Sequence, residues 1–513
     1  MIRNVTVDGA TGDGVTNDGA AIRTTISTVS GGGGGDVVLS QGTYIVDRDG
    51  GTNQCLSVPD NVRLLAADGS AVTIKAISGL ADNIDVVRMT GANCELDGIV
   101  IDGNKDGNST NEQRHGIVFE ACTNAVVRAV RIVNCTGDAA YVYQNVDGVT
   151  FDNCIMTGCE RNGLSVAPTT GTYAKNISLT QCRISGNAAQ QVDIEPGAAA
   201  GTVDGVMLSG CVLDGAGVSN DYVVAISGQL TGGESNTRNV SISNCTLNGG
   251  VNITWAEQVA LSGNVGSNPT NKSCVYVYRG CRNVVVNGNS LYQSQDSVSH
   301  IPIVTVNGAG SDAPSAIVIT NNALRAKRAA TQGISSDGAL SVIIKDNHIQ
   351  GANTSAGASW GINIRTTSAT AIRLSVVAGN YIVGWGEAGI RYAGVSTSTK
   401  HLVAMCRDNV IEDGSNRLAY GIVLDGDVRL NCIDTLLLAN NVIVGGSVTF
   451  VPIFNYPTGS NIVTPMTTTL LDDGSGDLVM GDVAAVQIKE GTAKAEIFGG
   501  SASSANTRKR FRP

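Results

Sequence analysis

Several things are scarce in this chain, and each shortage excludes something. No run of 18 or more apolar residues occurs, so no segment reads as a membrane-spanning helix. The opening "MIRNVTVDGATGDG" has no apolar stretch of the kind that drives secretion. The expectation from this is synthesis in a reducing compartment. Positive charge is short as well: the net charge is −10 and the pI near 5.0, which argues against nucleic acid or an anionic membrane as partner. Histidines number 4 and none are spaced like a metal-binding pair. Charged residues make up 15% and aromatics 4%, with 10 prolines. No long amphipathic helix pattern appears beyond the first thirty or so residues.

What is present is repetition. From about residue 150 to 445 one phrase recurs: apolar, any, apolar, two polar, Asn or Cys, any, apolar, any, and often Gly. "VTFDNCIMTG", "VSISNCTLNG", "VIIKDNHIQG" and "LLLANNVIVG" are four copies. The marker falls at Cys154, Cys182, Cys211, Cys245, Asn264, Asn289, Asn322, Asn347, Asn380, Asn409 and Asn441. The gaps, roughly 19 to 34 residues, are those of a solenoid. Between markers lies another short strand, usually entered by Gly: "HGIVFE", "NGLSVA", "WGINIR". Such a unit cannot bury its apolar side chains alone. Stacked copies can, because each inward Val, Ile or Leu then rests on its counterpart one strand spacing below. The marker becomes an inward column at a turn, where Asn bonds to the Asn above and below and Cys fills the same space as a small hydrophobe. The reading is an all-β, single-stranded, right-handed parallel β-helix over residues 51–446. Abundant Gly (64) agrees with it.

The flanks differ. Residues 1–50 read as an N-terminal cap with a strand, a Gly/Asp turn and a short helix. Thr16 or Asn17 is the expected N-cap, and Ala21, Ile22, Ile26 and Val29 the buried face. Residues 447–500 lose the marker and read as a small β-rich C-terminal cap and oligomerisation region. Residues 501–513, "SASSANTRKRFRP", read as a flexible basic tail. The 13 cysteines are expected as free, buried thiols.

One resemblance is specific. Asp8-Gly9-Ala10, Gly12-Asp13-Gly14-Val15-Thr16-Asn17-Asp18 and Ala20-Ala21-Ile22, followed by "GGDVVLSQGTYIV", resemble the opening of pectate-lyase-like β-helix proteins. That group includes polysaccharide lyases, glycosidases, alginate epimerases and bacteriophage tailspike depolymerases. Asn17 stands where the family usually has Asp, and Gln41 where Pro is common. The match covers the cap closely and the remainder only as generic coils, so it implies a carbohydrate context without a reaction.

On a β-helix the outward residues are free to carry chemistry. Alignment of the Gly-entered strands turns outward Val118 and Glu120, Tyr141 and Tyr143, Ser165 and Ala167, Asp193 and Glu195, and Tyr276 and Tyr278. Asp193 and Glu195 are two apart on one strand, so their Cα atoms lie about 6.6 Å apart on one face. That suits paired-carboxylate hydrolysis, with Asp193 and Glu195 as acid and base. Tyr141, Tyr143, Tyr276 and Tyr278 offer flat faces to sugar rings. Glu120, Arg161 and Asp138 border the same groove, with Arg114-His115 at its edge, while His348 and His401 read as surface residues.

No cofactor is expected. The segment from Asp102 to Gly107 matches half a calcium loop, but Gln113 stands where the bidentate Glu belongs, which leaves calcium a minor alternative. The Asp-Pro-His-Glu motif of the epimerases is absent at Tyr141-Val142-Tyr143-Gln144. Together these readings point to a homotrimeric, tailspike-like virion protein that binds and hydrolyses a bacterial surface polysaccharide. Its partners would be that glycan, its own copies and other virion proteins. Two alternatives stand beside it: a secreted polysaccharide lyase or epimerase, and a non-enzymatic fibre or adhesin.

Overall fold

The computed structural model describes residues 1–197, 200–215, 222–231, 234–295, 301–308, 312–327, 332–352, 359–367, 371–394, 401–412, 420–426, 433–444, 451–454, 461–462, 469–471, 487–490 and 493–496. The chain forms two compact units, Met1–Val259 and Ala260–Pro513.

The first unit opens with a short strand, Ile2–Asn4, and carries a helix, Gly19–Gly31, that buries Gly19, Ile22, Thr25, Ile26 and Val29. It packs on the strands Gly35–Leu39, Gly42–Val46 and Gln54–Val58. The N-cap is Asp18 rather than the expected Thr16 or Asn17. The buried Asp18 carboxylate turns back to accept the N–H groups of Thr11 (2.7 Å) and Gly12 (3.1 Å), pinning the Gly/Asp turn. Asn17 contributes from outside the helix, its Oδ1 accepting the Gly19 N–H. Thr25 takes the place on the buried face expected for Ala21, because its hydroxyl finds Asp8 at 2.7 Å and the Ala21 carbonyl at 3.1 Å.

Beyond the helix each coil supplies one strand to each of three parallel sheets. In the first sheet Phe151, Leu179, Leu208 and Ile242 stand in register. In the second, Met156, Ile184, Leu213 and Leu247 do so, and in the third Val142, Val166, Ile194, Ile226 and Ile253. All are buried. Each contributes about 1.5–3 kcal/mol by leaving water, so a column rather than any one residue holds the coils together. Parallel pairing in this pattern already begins with Ile2–Asn4 on Gly35–Leu39 and Asp13–Asn17 on Gly42–Val46, ahead of residue 51.

The turn between first and second sheets explains the repeated phrase. The residue before each marker sits in the left-handed region: Asn153 (φ 53°), Gln181 (54°) and Asn244 (54°) in this unit. Asn and Gly tolerate that conformation better than other residues. The marker behind it faces inward. Cys154, Cys182, Cys211 and Cys245 are buried, and Cys154, Cys182 and Cys211 point their thiols at the carbonyls of Val127, Phe151 and Leu179. Every cysteine among the described residues is free and buried.

The second unit repeats the three-sheet pattern with Asn at the marker. Asn289 Nδ2 donates to Asn322 Oδ1 (3.0 Å), Asn322 to Asn347 (2.9 Å), Asn347 to Asn380 (2.9 Å), Asn380 to Asn409 (2.9 Å) and Asn409 to Asn441 (2.9 Å). Each acceptor oxygen also receives the backbone N–H of the preceding marker, as Asn347 Oδ1 does from Asn322 at 3.0 Å. The second amide hydrogen goes to a backbone carbonyl, Ile319 in the case of Asn347. Every polar atom of such a side chain is satisfied, which is what permits it to be buried.

In this unit the coil pattern runs on past residue 446. Val451–Phe454, Asn461–Ile462 and Thr469–Leu471 pair parallel with the strands before them. Gln487–Glu490 and Ala493–Glu496 form an antiparallel hairpin. The tail at 501–513 lies outside the described residues, as does His300. His401, expected at the surface, is fully buried. Its Nε2 lies 3.3 Å from the Ala393 carbonyl, its ring meets Tyr392 edge-on at 6.0 Å, and burial lowers its pKa to about 4.

Candidate functional site on the third sheet of the first unit

Outward residues of the third sheet stack as columns because the pairing is in register. One column reads Arg88, Val118, Tyr141, Ser165, Asp193, Ala225 and Asn252. Just ahead of these strands the chain turns sharply at a small residue, and the residue before it faces the site: His115-Gly116, Asp138-Ala139 and Asn162-Gly163. Gly is needed at 163, where a Cβ would lie 2.2 Å from Ile184 Cγ2 and 2.6 Å from the Gln191 carbonyl.

At the centre is Asp138, wholly buried. Its Oδ1 accepts the Asn162 N–H at 2.9 Å and lies 3.7 Å from Arg161 Nε. Its own N–H donates to His115 Nδ1 at 3.0 Å. This assigns the imidazole proton to Nε2. Burial, reinforced by the Arg161 and Arg88 charges, lowers the pKa of His115 to about 3, so the ring is neutral. That ring lies flat against Tyr141, centroids 4.5 Å apart and planes 12° apart. Tyr141 stacks in turn on Tyr143 at 5.5 Å.

Asn162 links this centre to Asp193. Its Nδ2 donates to Ser165 Oγ (3.0 Å) and lies 3.3 Å from Asp193 Oδ2, while its Oδ1 accepts the Gln190 N–H. Burial raises the Asp193 pKa to about 7, with the Glu195 and Asp138 charges adding to it and Arg161 and Asn162 opposing. Asp138 is raised to about 6, by burial against the pull of Arg161. Tyr141 is raised to about 12, chiefly by burial, and keeps its proton. A carboxyl raised to about 7 at Asp193, the exposed Glu195 side chain, a tyrosine platform and a guanidinium therefore share one face. The set can donate a proton, accept one, and hold a ring.

The structure thus brings Asp193, Glu195, Tyr141, Tyr143 and Arg161 onto one face. Glu120 behaves differently from the expected alignment. The register shifts between Phe119 and Glu120, so Glu120 faces Gln144 rather than Tyr143. Its carboxylate is engaged by Arg88 (2.5 Å) and Gln144 Nε2 (3.0 Å), and Arg88 also holds Asp85. Arg114 is buried and structural, donating to the Leu80, Ala81 and Ser109 carbonyls. Tyr276 and Tyr278 form a stacked pair at 5.5 Å in the second unit, with Tyr276 Oη accepting from Asn307 Nδ2.

The half calcium loop is a turn whose side chains bond to it and to the coil before it. Asp102 Oδ1 accepts the Asn104 N–H, and the Asn104 and Asn108 amides donate to the Ala76 and Ile77 carbonyls. Among the described residues no three His, Cys, Asp or Glu side chains group as a metal site. Sequence reasoning missed Asn162, Arg88 and Gln144. Asn162 had a signal, since it holds the same place before a small residue as His115 and Asp138.

Residues 70–223, which include this whole site, match the family model described as "Right handed beta helix region". The fold is that of a right-handed parallel β-helix. Among curated proteins it is similar to several from Azotobacter vinelandii, two of which illustrate the match. Mannuronan C5-epimerase AlgE1 is 35% identical over 114 residues, 21% of this chain and 8% of the relative. Mannuronan C5-epimerase AlgE6 is 27% identical over 207 residues, 34% of this chain and 24% of the relative. The match therefore spans a small part of those relatives. Among solved structures, pre-mature gene product 12 of bacteriophage phi29 superposes with a TM-score of 0.51 at 15% identity, over 93% of this chain and 73% of that one, a likeness of fold.

Proposed function

We propose that the protein acts on a polysaccharide held along the third sheet of the first unit, and that it hydrolyses the glycosidic bond there. The observation that carries this reading is the Asp193 carboxyl, raised to about 7 beside the exposed Glu195. Asp193 gives its proton to the glycosidic oxygen as the C–O bond breaks. Glu195 takes a proton from the water that attacks the anomeric carbon. Tyr141 and Tyr143 supply the platform, and Arg161, oriented by Asp138, meets acidic or hydroxyl groups of the chain. Asp138 is a positioning residue, being too deep to touch substrate. The finer form of the reading is a homotrimeric tailspike on a virion that cleaves a bacterial surface glycan, supported by the motif in the cap and by a fold shared with a phage protein.

A second reading has its own support in the local similarity to mannuronan epimerases. Tyr141, His115 and Arg161 would then serve proton abstraction beside a sugar carboxylate, as in a lyase or epimerase. One experiment tests both: incubation with a panel of capsular glycans and polymannuronate, followed by product analysis. Hydrolysis releases reducing ends without ultraviolet absorbance, elimination leaves an absorbing unsaturated end, and epimerisation changes the sugar without cleavage. New reducing ends without ultraviolet absorbance, lost in Asp193→Asn, support the first reading. No product of any kind overturns both.

A further inference from the structure

The second sheet of the second unit carries a surface that the proposed function does not use. Its outward residues form two columns. One is Val265, Ser290, Ala323, His348 and Tyr381, the other Ser267, Tyr292, Arg325, Gln350 and Val383. Between them runs a groove of about 350 Å³. It exists because Ser290 and Ala323 are short while Tyr292, Arg325, His348 and Gln350 rise around them. That volume falls in the range of small-ligand sites, about 300–1,000 Å³.

The lining is selective in kind. The Arg325 guanidinium lies over the Tyr292 ring, 5.6 Å from its centroid. His348 meets Tyr381 at 5.0 Å one coil further on. No Asp or Glu lines the groove. Arg325 is exposed and, among the described residues, makes no ion pair, in a chain whose net charge is −10. A guanidinium held by a ring and left without a carboxylate is suited to take one from a ligand, in a two-pronged bond. Tyrosine faces beside it suit the apolar side of a sugar ring. Successive coils, about 4.8 Å apart, set Tyr292, Arg325 and Gln350 at regular steps, which favours an extended chain over a compact molecule.

We propose that this groove is an accessory binding site for an acidic glycan, with Arg325 pairing the sugar carboxylate and Tyr292 supporting a ring. It shares with the proposed function only the premise of a carbohydrate ligand and uses none of its residues.

The test is fluorescence anisotropy of the full chain with a labelled oligomannuronate, and with a neutral glucan oligosaccharide of equal length. Expected are measurable binding of the acidic probe and at least tenfold weaker binding of the neutral one. Arg325→Ala and Arg325→Glu should each weaken acidic-probe binding at least tenfold, Arg325→Lys should do so partially, and Arg183→Ala, which removes an exposed arginine of the first unit outside both grooves, should bind as the wild type does. Arg325 is exposed, so its variants should fold; an unchanged thermal midpoint checks that. Wild-type binding retained in Arg325→Glu, or neutral and acidic probes bound alike, overturns the proposal. Wild-type turnover of glycans is measured separately. Absent turnover with Arg325-dependent binding sinks the proposed function and leaves the groove standing; turnover with Arg325-independent binding does the reverse.

Discussion

His115 and Tyr141 lie face to face, 4.5 Å between ring centroids and 12° from parallel, although they belong to successive coils. The tyrosine is the lid that keeps the imidazole dry, and dryness is the first cause of the low histidine pKa. Tyr141→Ala should therefore let water in and move the His115 pKa up towards its ordinary value, while Tyr141→Phe should leave it low. Histidine-detected NMR titration reads both. An unchanged titration in Tyr141→Ala would show that the tyrosine contributes nothing to the dryness. The alanine variant should also lose about 1–3 kcal/mol of stability, from stacking and buried area together.

Asp193 links stability to pH. Its folded pKa, raised to about 7, lies above the 3.8 of the unfolded chain. The folded state therefore binds more protons between those values. The contribution is full below about pH 4 and is lost as pH rises through about 7. Asp193→Asn removes that loss. Its melting temperature should equal that of the wild type near pH 4 and exceed it near pH 8, by the equivalent of about 1–3 kcal/mol after allowance for partial exposure. Thermal melts across that range decide it, and a difference independent of pH would refute the assignment.

The same group should set the alkaline limb of any cleavage activity. As general acid, Asp193 works only while protonated, so the rate should fall as pH rises past about 7. A rate that holds up well above that pH, measured on a glycan that is cleaved, would require another acid.

The asparagine column predicts a graded mutational response. Asn347→Ala removes the acceptor used by both the Asn322 N–H and the Asn322 amide, at 3.0 and 2.9 Å, and the donor to Asn380. Leaving buried groups unpaired costs about 1–3 kcal/mol each, so a total loss of about 2–5 kcal/mol is expected by denaturant titration. Asn347→Cys should cost less than Asn347→Ala, because cysteine occupies the equivalent place in the first unit. Equal losses would mean that volume at that position is irrelevant.

Thiol labelling offers an independent check. The described cysteines are buried, and burial raises the Cys55, Cys122 and Cys406 thiols to about 12. The native protein should react with at most Cys432, which lies outside the described residues, and all 13 thiols should react in denaturant without prior reduction. Rapid native labelling of several thiols would contradict the packing.

How much of this could be read from sequence depends on whether a residue repeats. Asn322 and Cys182 were legible as inward because apolar residues stand three places before and two places after the marker in coil after coil. That the residue before each marker is left-handed was not foreseen, although the phrase puts a polar residue or Gly there. Asp193 and Tyr141 were legible as outward for the same reason, since the strand alternates. Arg88 and Asn162 were harder to read, because their roles lie in bonds that reach other coils, Arg88 to Glu120 and Asn162 to Asp138, Asp193 and Gln190; only the place of Asn162 before a small residue hinted at it. The N-cap was misplaced for a related reason: Asp18 spends its carboxylate on Thr11 and Gly12, a long-range choice that local capping preference does not foresee. His401 was misplaced because a histidine ordinarily keeps contact with water, and here, at the start of the strand His401–Arg407, the Ala393 carbonyl takes water's place.

In the asparagine column each amide speaks only to its immediate neighbours, and in one direction: nitrogen towards the later coil, oxygen towards the earlier. Nothing in that grammar specifies how many members the series must have. A whole coil excised from one marker to the next would leave two asparagines able to meet on the same terms, whereas a cut of a few residues would break the sequence of donors and acceptors at once. Length in the second unit is accordingly free to change in full steps and closed to fractions of a step.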